Sequence, residues 1–250
     1  IKVFKLDDIL KTNNRNKFIP KKISNCEIVI LSGGIGTRLK PFTNILPKAL
    51  IPLEGIAIIE HIIKSFNQYK IFNINIITNY KSKIIYSYIK ENESLGKNNF
   101  KFYEEKKPLG TAGGLYLLRN KIKSDFILTN CDILIKHDIY KIFKYHKVNQ
   151  SDLTLVVFKK TNVLPYGNCN IDSDNNLIDI EEKPKSNFTI NAGLYVINNK
   201  IFDLIKKDHF ININELIIKM INKNYKVKVY HIDEDEWFDI GEWPEYYKTV

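Results

Sequence analysis

Ile28-Val-Ile-Leu-Ser-Gly-Gly-Ile-Gly-Thr-Arg-Leu39 is the stretch on which the fold turns. Four branched apolar residues followed at once by turn residues read as a buried strand, because an amphipathic helix needs a longer, interrupted pattern. Gly33, Gly34 and Gly36 then free the backbone to approach a ligand and to aim its N–H groups at an anion. A tight turn after a strand needs one or two glycines, and it does not need the Thr37-Arg38 that follows. Phosphate suits this pattern. The spacing does not fit the dinucleotide fingerprint, whose third glycine position is Leu39 here, and no Gly-Lys-Ser/Thr ending makes it a P-loop.

Outward from that stretch, apolar residues recur at helical spacing over 56–69 (Ile58, Ile59, Ile62, Ile63, Phe66). The pattern then predicts a strand at 74–78, a helix at 82–91, a strand at 100–103, a helix at 112–120 and a strand at 126–129. Strands alternating with helices at this rhythm imply βαβ crossovers, hence an α/β fold: a Rossmann-like three-layer sandwich with a mostly parallel central sheet. After residue 150 the strand-like segments 153–158, 168–171, 177–180 and 190–197 crowd together. Helices at 200–207, 213–223 and 243–250 surround a strand at 226–231. The chain reads as a linker over 1–25 and one α/β domain over 26–250, with a second-half sheet inserted or appended. Ligands of open parallel sheets bind at the carboxyl ends of the strands, so chemistry is expected there.

Composition narrows the class. Over 250 residues, 44% hydrophobic and 26% charged are ordinary globular values, which excludes whole-chain disorder, collagen-like fibre and coiled coil. The net charge of +10 invites a nucleic-acid reading, yet arginine appears only at Arg15, Arg38 and Arg119, and no run exceeds two adjacent basic residues. A solvated lysine-rich surface fits better than a concentrated nucleic-acid face, so no nucleic-acid partner is expected. Cys26, Cys131 and Cys169 are odd in number and form no C-x-x-C pair, which suits a reducing cytoplasm. No apolar stretch approaches the ~20 residues of a spanning helix, so no membrane partner is expected. The chain opens at Ile1 rather than Met, which marks a fragment or a processed chain.

Further candidates stand singly. Lys48 lies ten residues beyond Arg38 in a loop opened by Pro41 and closed by Pro52, and prolines that fix the backbone around a lysine suggest a positioned charge. Asp132 follows the strand 126–129 at a carboxyl edge, and Asp239 sits among Trp237, Phe238 and Ile240. Each taken alone is more often a turn or helix cap. Pro184 biases Lys183 toward extended backbone and ends the local strand. The five histidines show no metal-ligand spacing and are assigned to surfaces and caps.

Taken in order, these segments acquire a common meaning. Leu31-Ser-Gly-Gly-Ile-Gly-Thr-Arg-Leu39 with Leu46-Pro-Lys48 resembles the signature of the sugar-1-phosphate nucleotidylyltransferases, or NDP-sugar pyrophosphorylases. Pro108-Leu-Gly-Thr-Ala-Gly-Gly114 is similar to that family's base and ribose loop, and Asn130-Cys-Asp132 to its Asn-Gly-Asp metal motif. Tyr166-Gly167, Glu181-Glu-Lys-Pro184 and Asn191-Ala-Gly193 resemble its sugar-phosphate pocket, and Trp237-Phe-Asp-Ile-Gly241 its second metal motif. The resemblance spans about 27–250 and implies the nucleotide-diphospho-sugar transferase fold. It implies Arg38, Lys48, Asp132 and Asp239 as catalytic residues, with Mg²⁺ held by Asp132 and Asp239. Leu31, Gly33, Gly34, Gly36, Thr37, Gly110, Thr111 and Ala112 would bind the nucleoside triphosphate, and Gly167, Glu182, Lys183, Asn191 and Gly193 the sugar 1-phosphate.

Some features set this chain apart from the pattern. Cys131 replaces the glycine usual before the metal-binding aspartate, so its backbone must be reachable without glycine's freedom. The C-terminal β-helix of some relatives is not seen. Residues 1–10 resemble the end of the CBS-type regulatory module fused ahead of one bacterial subgroup, whose members are similar to guanylyltransferases for mannose 1-phosphate or glucosamine 1-phosphate. GTP is favoured on that basis. A homodimer or higher homo-oligomer is left open. The rival readings are a cytidylyltransferase for a phospho-alcohol and a non-catalytic regulatory subunit of the same fold; the second should have lost the charged residues that are all present here.

Overall fold

A computed structural model describes residues 20–241. Residues 1–19 of the expected linker and the expected helix at 243–250 lie outside the described residues. The chain is packed from Ile23 onward: that side chain is buried, and its N–H donates to the Tyr69 carbonyl at 3.0 Å.

The central sheet has seven strands: β1 (Glu27–Ser32), β2 (Asn73–Thr78), β3 (Asn99–Glu104), β4 (Phe126–Asn130), β5 (Leu153–Val163), β6 (Lys185–Ile197) and β7 (Val227–Ile232). Their spatial order is β7-β5-β6-β4-β1-β2-β3. β1 pairs in parallel with β2 and β4, β2 with β3, and β5 with β7, while β6 runs antiparallel to both β4 and β5. Reversing only β6 keeps the other six strands pointing one way, so six carboxyl ends share an edge.

The two-residue alternation of a strand divides the core into two layers. Ile28 and Ile30 of β1 face one side, with Ile74, Ile76 and Ile127 beside them. Three helices cover that side: α1 (Ile58–Asn67), α2 (Ser82–Glu91) and α3 (Ile139–Val148). Val29 faces the other side with Ile77, Phe126 and Leu128, under α4 (Ile213–Asn222). This is the three-layer α/β sandwich that continuous apolar strands predict, because both faces need cover. None of the described helices is long and apolar enough to cross a membrane.

Two expected helices take another form. The segment 112–120 begins as one α turn, Gly110–Gly113, and continues as a 3-10 turn, Gly114–Leu118. Its three glycines weaken an α-helix, and a Cβ at Gly113 would meet the His209 carbonyl at 2.5 Å, so close packing requires them. The segment 200–207 is a 3-10 helix, Asn199–Leu204, whose Asn198 side chain accepts from the Lys200 N–H. β5 and β6 also outrun the sequence reading. Their outer parts continue past the sheet, exposed, and frame an antiparallel hairpin of Gly167–Ile171 and Leu177–Glu182. Because β5 runs in the same sense as β1, this ribbon leaves from the carboxyl edge. The histidine assignment fails at two positions. His61 and His146 are buried, since each ring finds a partner, the Leu53 carbonyl and the Thr154 hydroxyl, both at 2.9 Å.

Phe126 is fully buried and stacks on Phe202 with ring centroids 5.5 Å apart. Phe126→Ala is expected to cost about 3–5 kcal/mol, lost contacts plus an uncollapsed cavity, read as a lower urea midpoint at unchanged slope.

Candidate functional site

At the carboxyl edge the glycine segment turns away from β1 and wraps back on itself. Gly36 has φ +69, and a Cβ there would meet Thr43 Cγ2 at 2.9 Å and Lys48 Cβ at 3.1 Å. The missing side chain lets the Lys48 stem pass. The Thr43 hydroxyl donates to the Gly36 carbonyl at 2.9 Å, and the Lys81 ammonium donates to the Asn44 and Ile45 carbonyls at 2.6 Å. The stretch between Pro41 and Pro52, read as loop, thus contains two short helical turns, Phe42–Ile45 and Lys48–Leu50.

Asp132 and Asp239 come together through a small strand pair. Ile133–Ile135 runs antiparallel to Trp237–Asp239, with Asp239 opposite Ile133. Backbone bonds close both ends of the pair: Ile240 N–H to the Asp132 carbonyl and Lys136 N–H to the Glu236 carbonyl, each at 2.9 Å. The Trp237 indole N–H donates to the Ala192 carbonyl at 2.9 Å, and His137 bridges Glu236 at 2.9 Å and Tyr230 at 3.0 Å. The anchoring has a direct result: Asp132 Oδ2 and Asp239 Oδ1 lie 2.6 and 2.7 Å from one point, the position of a Cβ on Gly241, and Lys48 Nζ reaches the same point. Lys48 forms an ion pair with Asp132, and the Gly241 N–H donates to Asp239 Oδ1 at 2.7 Å. Burial, and after it the charge of Asp132, pushes the Asp239 carboxyl above its ordinary value; Lys48 and Arg38 pull it the other way. Two carboxylates are thus held close enough to repel, with cations beside them.

Among the described residues no group of three or more His, Cys, Asp or Glu side chains is gathered for a metal. A pair of carboxylates still suits Mg²⁺, which takes hard oxygen ligands, few from protein and the rest from phosphate and water.

Beside this cluster lies a cleft of about 330 Å³ lined by Gly33, Gly34, Gly110, Thr111, Lys48 and Asp132 among others, Leu31 included. Gly36, Thr37, Arg38 and Asp239 do not line it. Ala112 offers it nothing: the side chain is fully buried and its N–H donates to the Ile211 carbonyl at 3.0 Å. The Thr111 hydroxyl accepts from the Ile213 N–H at 2.8 Å, which ties the loop to the start of α4. Cys131 does not need glycine's freedom, since its φ is not positive, and burial pushes its thiol up to about 12.

The residues read as a sugar-phosphate pocket are divided. Asn191 and Gly193 sit at a bulge of β6: Gly193 has φ +74, its N–H donates to Asn191 Oδ1 at 2.9 Å, and a Cβ there would meet Asn130 Nδ2 at 3.0 Å. Gly167, Glu182 and Lys183 lie on the exposed ribbon, where Gly167 pairs with Glu182. The expected extended backbone at Lys183 is not found. Its φ is +50, because the chain must turn a corner between the hairpin strand ending at Glu182 and β6 beginning at Lys185.

Two residues of the cleft escaped the sequence reading. Glu105 follows β3 at the carboxyl edge, is buried, and shows no hydrogen bond or ion pair from its carboxylate among the described residues. Its signal was its place at the end of a strand, hidden in the charged run Glu104-Glu105-Lys106-Lys107. Phe210 lines the same cleft yet is 56% exposed.

The sequence pattern of the nucleotidyl transferase family matches residues 27–250. The bifunctional protein GlmU of Methanococcus aeolicus is 31% identical over 223 residues, covering 86% of this chain and 51% of that protein. The mannose-1-phosphate guanylyltransferase of Mycobacterium tuberculosis is 26% identical over 219 residues, covering 86% and 61%. The chain therefore spans between half and two thirds of these relatives. The structure of HddC from Yersinia pseudotuberculosis complexed with GMP-PN superposes with a TM-score of 0.69 at 26% identity, covering 89% of this chain and 97% of that one.

Gly110 has φ +77, and a Cβ there would meet the Ile211 carbonyl oxygen at 2.6 Å. Gly110→Ala is expected to cost about 1–3 kcal/mol through strain and displacement of the 209–213 segment, measured as a lower thermal midpoint.

Proposed function

This chain belongs to the nucleotidyl transferase family, and we propose that it condenses a nucleoside triphosphate with a hexose or hexosamine 1-phosphate to give an NDP-sugar and pyrophosphate. The observation that carries this reading is the meeting of Asp132, Asp239 and Lys48 beside a glycine-lined cleft. GTP is the favoured triphosphate, in line with the guanylyltransferase name of one relative.

The reaction is an in-line displacement. An oxygen of the sugar phosphate bonds to the α-phosphorus, and the bond from that phosphorus to the oxygen bridging toward the β-phosphorus breaks, its electrons leaving with pyrophosphate. The nucleophile is already anionic near neutral pH, so no general base is required. The protein's task is alignment and charge neutralisation. Backbone N–H groups at Gly34 to Thr37 cradle the phosphates. Lys48, paired with Asp132 in the free site, and Arg38, whose charge reaches Asp239, offset the negative charge that collects on the departing pyrophosphate. Lys183 holds the attacking phosphate, and Glu182 takes a sugar hydroxyl. Asp132 and Asp239 would hold Mg²⁺, which when bound neutralises phosphate charge and favours the in-line geometry.

A matrix of GTP, ATP, CTP and UTP against several hexose 1-phosphates, with released pyrophosphate as the readout, tests the reading. Product from choline phosphate and none from any hexose phosphate would overturn it. Asp132→Asn should lower turnover by about two decades or more with the fold intact, and near-normal release would remove Asp132 from the site. Lys183→Ala should raise KM for the sugar phosphate about tenfold while leaving triphosphate binding unchanged.

A further inference from the structure

The hairpin of Gly167–Ile171 and Leu177–Glu182 has a polar face and an apolar face, and both are exposed. Residues opposite each other in an antiparallel pair share a face, and neighbours along a strand alternate between faces. Leu177 lies opposite Ile171 and Ile180 opposite Cys169, so these four share one face; Asp179 opposite Asn170 and Glu181 opposite Asn168 make the other. Ile171, Leu177 and Ile180 are each more than half exposed, and Cys169 is exposed as well. An antiparallel sheet ordinarily turns its apolar face to a core, and a two-stranded ribbon alone is marginal in water. A contiguous apolar face left in water marks a contact surface.

Charge narrows what that contact is. From Tyr166 to Glu182 the chain holds five of its 28 acidic residues, Asp172, Asp174, Asp179, Glu181 and Glu182, and none of its 38 lysines and arginines. The same hairpin of another copy, stacked on it, would set two such groups of carboxylates against each other across sheets roughly 10 Å apart, about one Debye length. The rest of the chain is strongly basic, so a second copy offers the complementary charge elsewhere on its surface.

An apolar groove of about 520 Å³ meets the requirement. It lies between α2 and the two short turns that follow the glycine segment; Leu46, Leu50, Ile84 and Tyr88 line it together with Lys83 and Ser87, and no carboxylate does. Ile45, next to Leu46 in the chain, is 75% exposed, and Phe42 one turn earlier is exposed too. The Lys81 ammonium, held on the Asn44 and Ile45 carbonyls, joins Lys83 as a second cation at the start of α2. The groove is thus apolar with a basic end, and the hairpin is apolar with an acidic turn. They belong to opposite parts of the sheet: the hairpin leaves from β5 and β6, whereas Tyr86 of α2 packs on Phe102 of the edge strand β3. Four strand spacings from β5 to β1 and on to β2 come to roughly 20 Å, so each hairpin is placed to reach the groove of another copy rather than its own.

We propose that two copies of this chain associate about a twofold axis, the apolar face of each hairpin seated in the α2 groove of the other and its carboxylates directed at Lys81 and Lys83. One such contact joins unlike surfaces, and the dimer closes because the contact is made twice. This association is independent of the nucleotidyl-transfer reading.

Sedimentation equilibrium of the full chain tests it, with a dimer of micromolar dissociation constant expected. Ile180→Ser and Ile84→Glu change exposed side chains, so the fold stands, checked as an unchanged circular dichroism spectrum. Each should weaken the dimer by about a hundredfold, roughly tenfold for each of the two contacts it removes. Lys83→Glu should weaken it by about tenfold. Mixed in equal amounts, the Ile180→Ser and Ile84→Glu chains retain one intact hairpin and one intact groove between them. The mixture should therefore form a heterodimer about tenfold weaker than the native dimer, at concentrations where neither variant dimerises alone. A native chain that stays monomeric throughout the micromolar range overturns the proposal. So does a dimer that Ile84→Glu leaves intact, which would put hairpin on hairpin, and so does a mixture that associates no better than its separate components. Growth past the dimer with rising concentration would show an open contact and overturn the twofold arrangement.

Discussion

Two carboxylates and an ammonium group are made to share a space that exists because Gly241 has no side chain. Like charges brought together away from bulk water repel, and each also loses hydration. The upward push on Asp239 is the visible trace of that cost. The surrounding structure reads as the means of sustaining it. The strand pair Ile133–Ile135 and Trp237–Asp239 fixes the two aspartates in register, Trp237 and His137 hold that pair to the sheet, and the left-handed turn at Gly36 lets Lys48 reach in.

The sheet explains why these pieces meet. With six strands aligned, the ends of β1, β3 and β4 deliver the glycine segment, Glu105 and Asp132 to one edge, and the chain leaving β7 returns across it with Asp239. Buried on both faces, the strands cannot slip by one residue without turning Ile28 and Ile30 into the layer occupied by Val29. Register in the core is thereby converted into position at the rim.

Much of this was legible from residue types. The block of branched residues before Gly33 announces a buried strand, and β1 to β4 with α1 and α2 follow the predicted alternation closely, because their apolar spacing is set by the same packing that stabilises them. The ordered motifs gave Asp132 and Asp239 as partners. Spacing along the chain could not, since their approach depends on a strand pair formed by residues about a hundred positions apart. The outer parts of β5 and β6 were illegible for the opposite reason: Lys159, Lys160, Thr161 and Asn162 are exposed on both faces of the ribbon, so no apolar periodicity marks them. Lys183 defied the rule for residues before proline because the corner it occupies leaves no extended solution. Glu105 and Phe210 look like surface residues in sequence; Glu105 turns inward where Gly33 and Gly114 leave room for its carboxylate, while Phe210 stays exposed.

The ribbon at the carboxyl edge joins the sheet through two unbroken strands rather than through a loop. A graft exchanged at its tip would leave the layered interior and the glycine segment after β1 untouched. On the proposed assignment of Gly167, Glu182 and Lys183 to the sugar phosphate, part of sugar recognition is separable in descent from the cleft: a lineage could rewrite roughly one hairpin and inherit the glycine-lined wall unchanged.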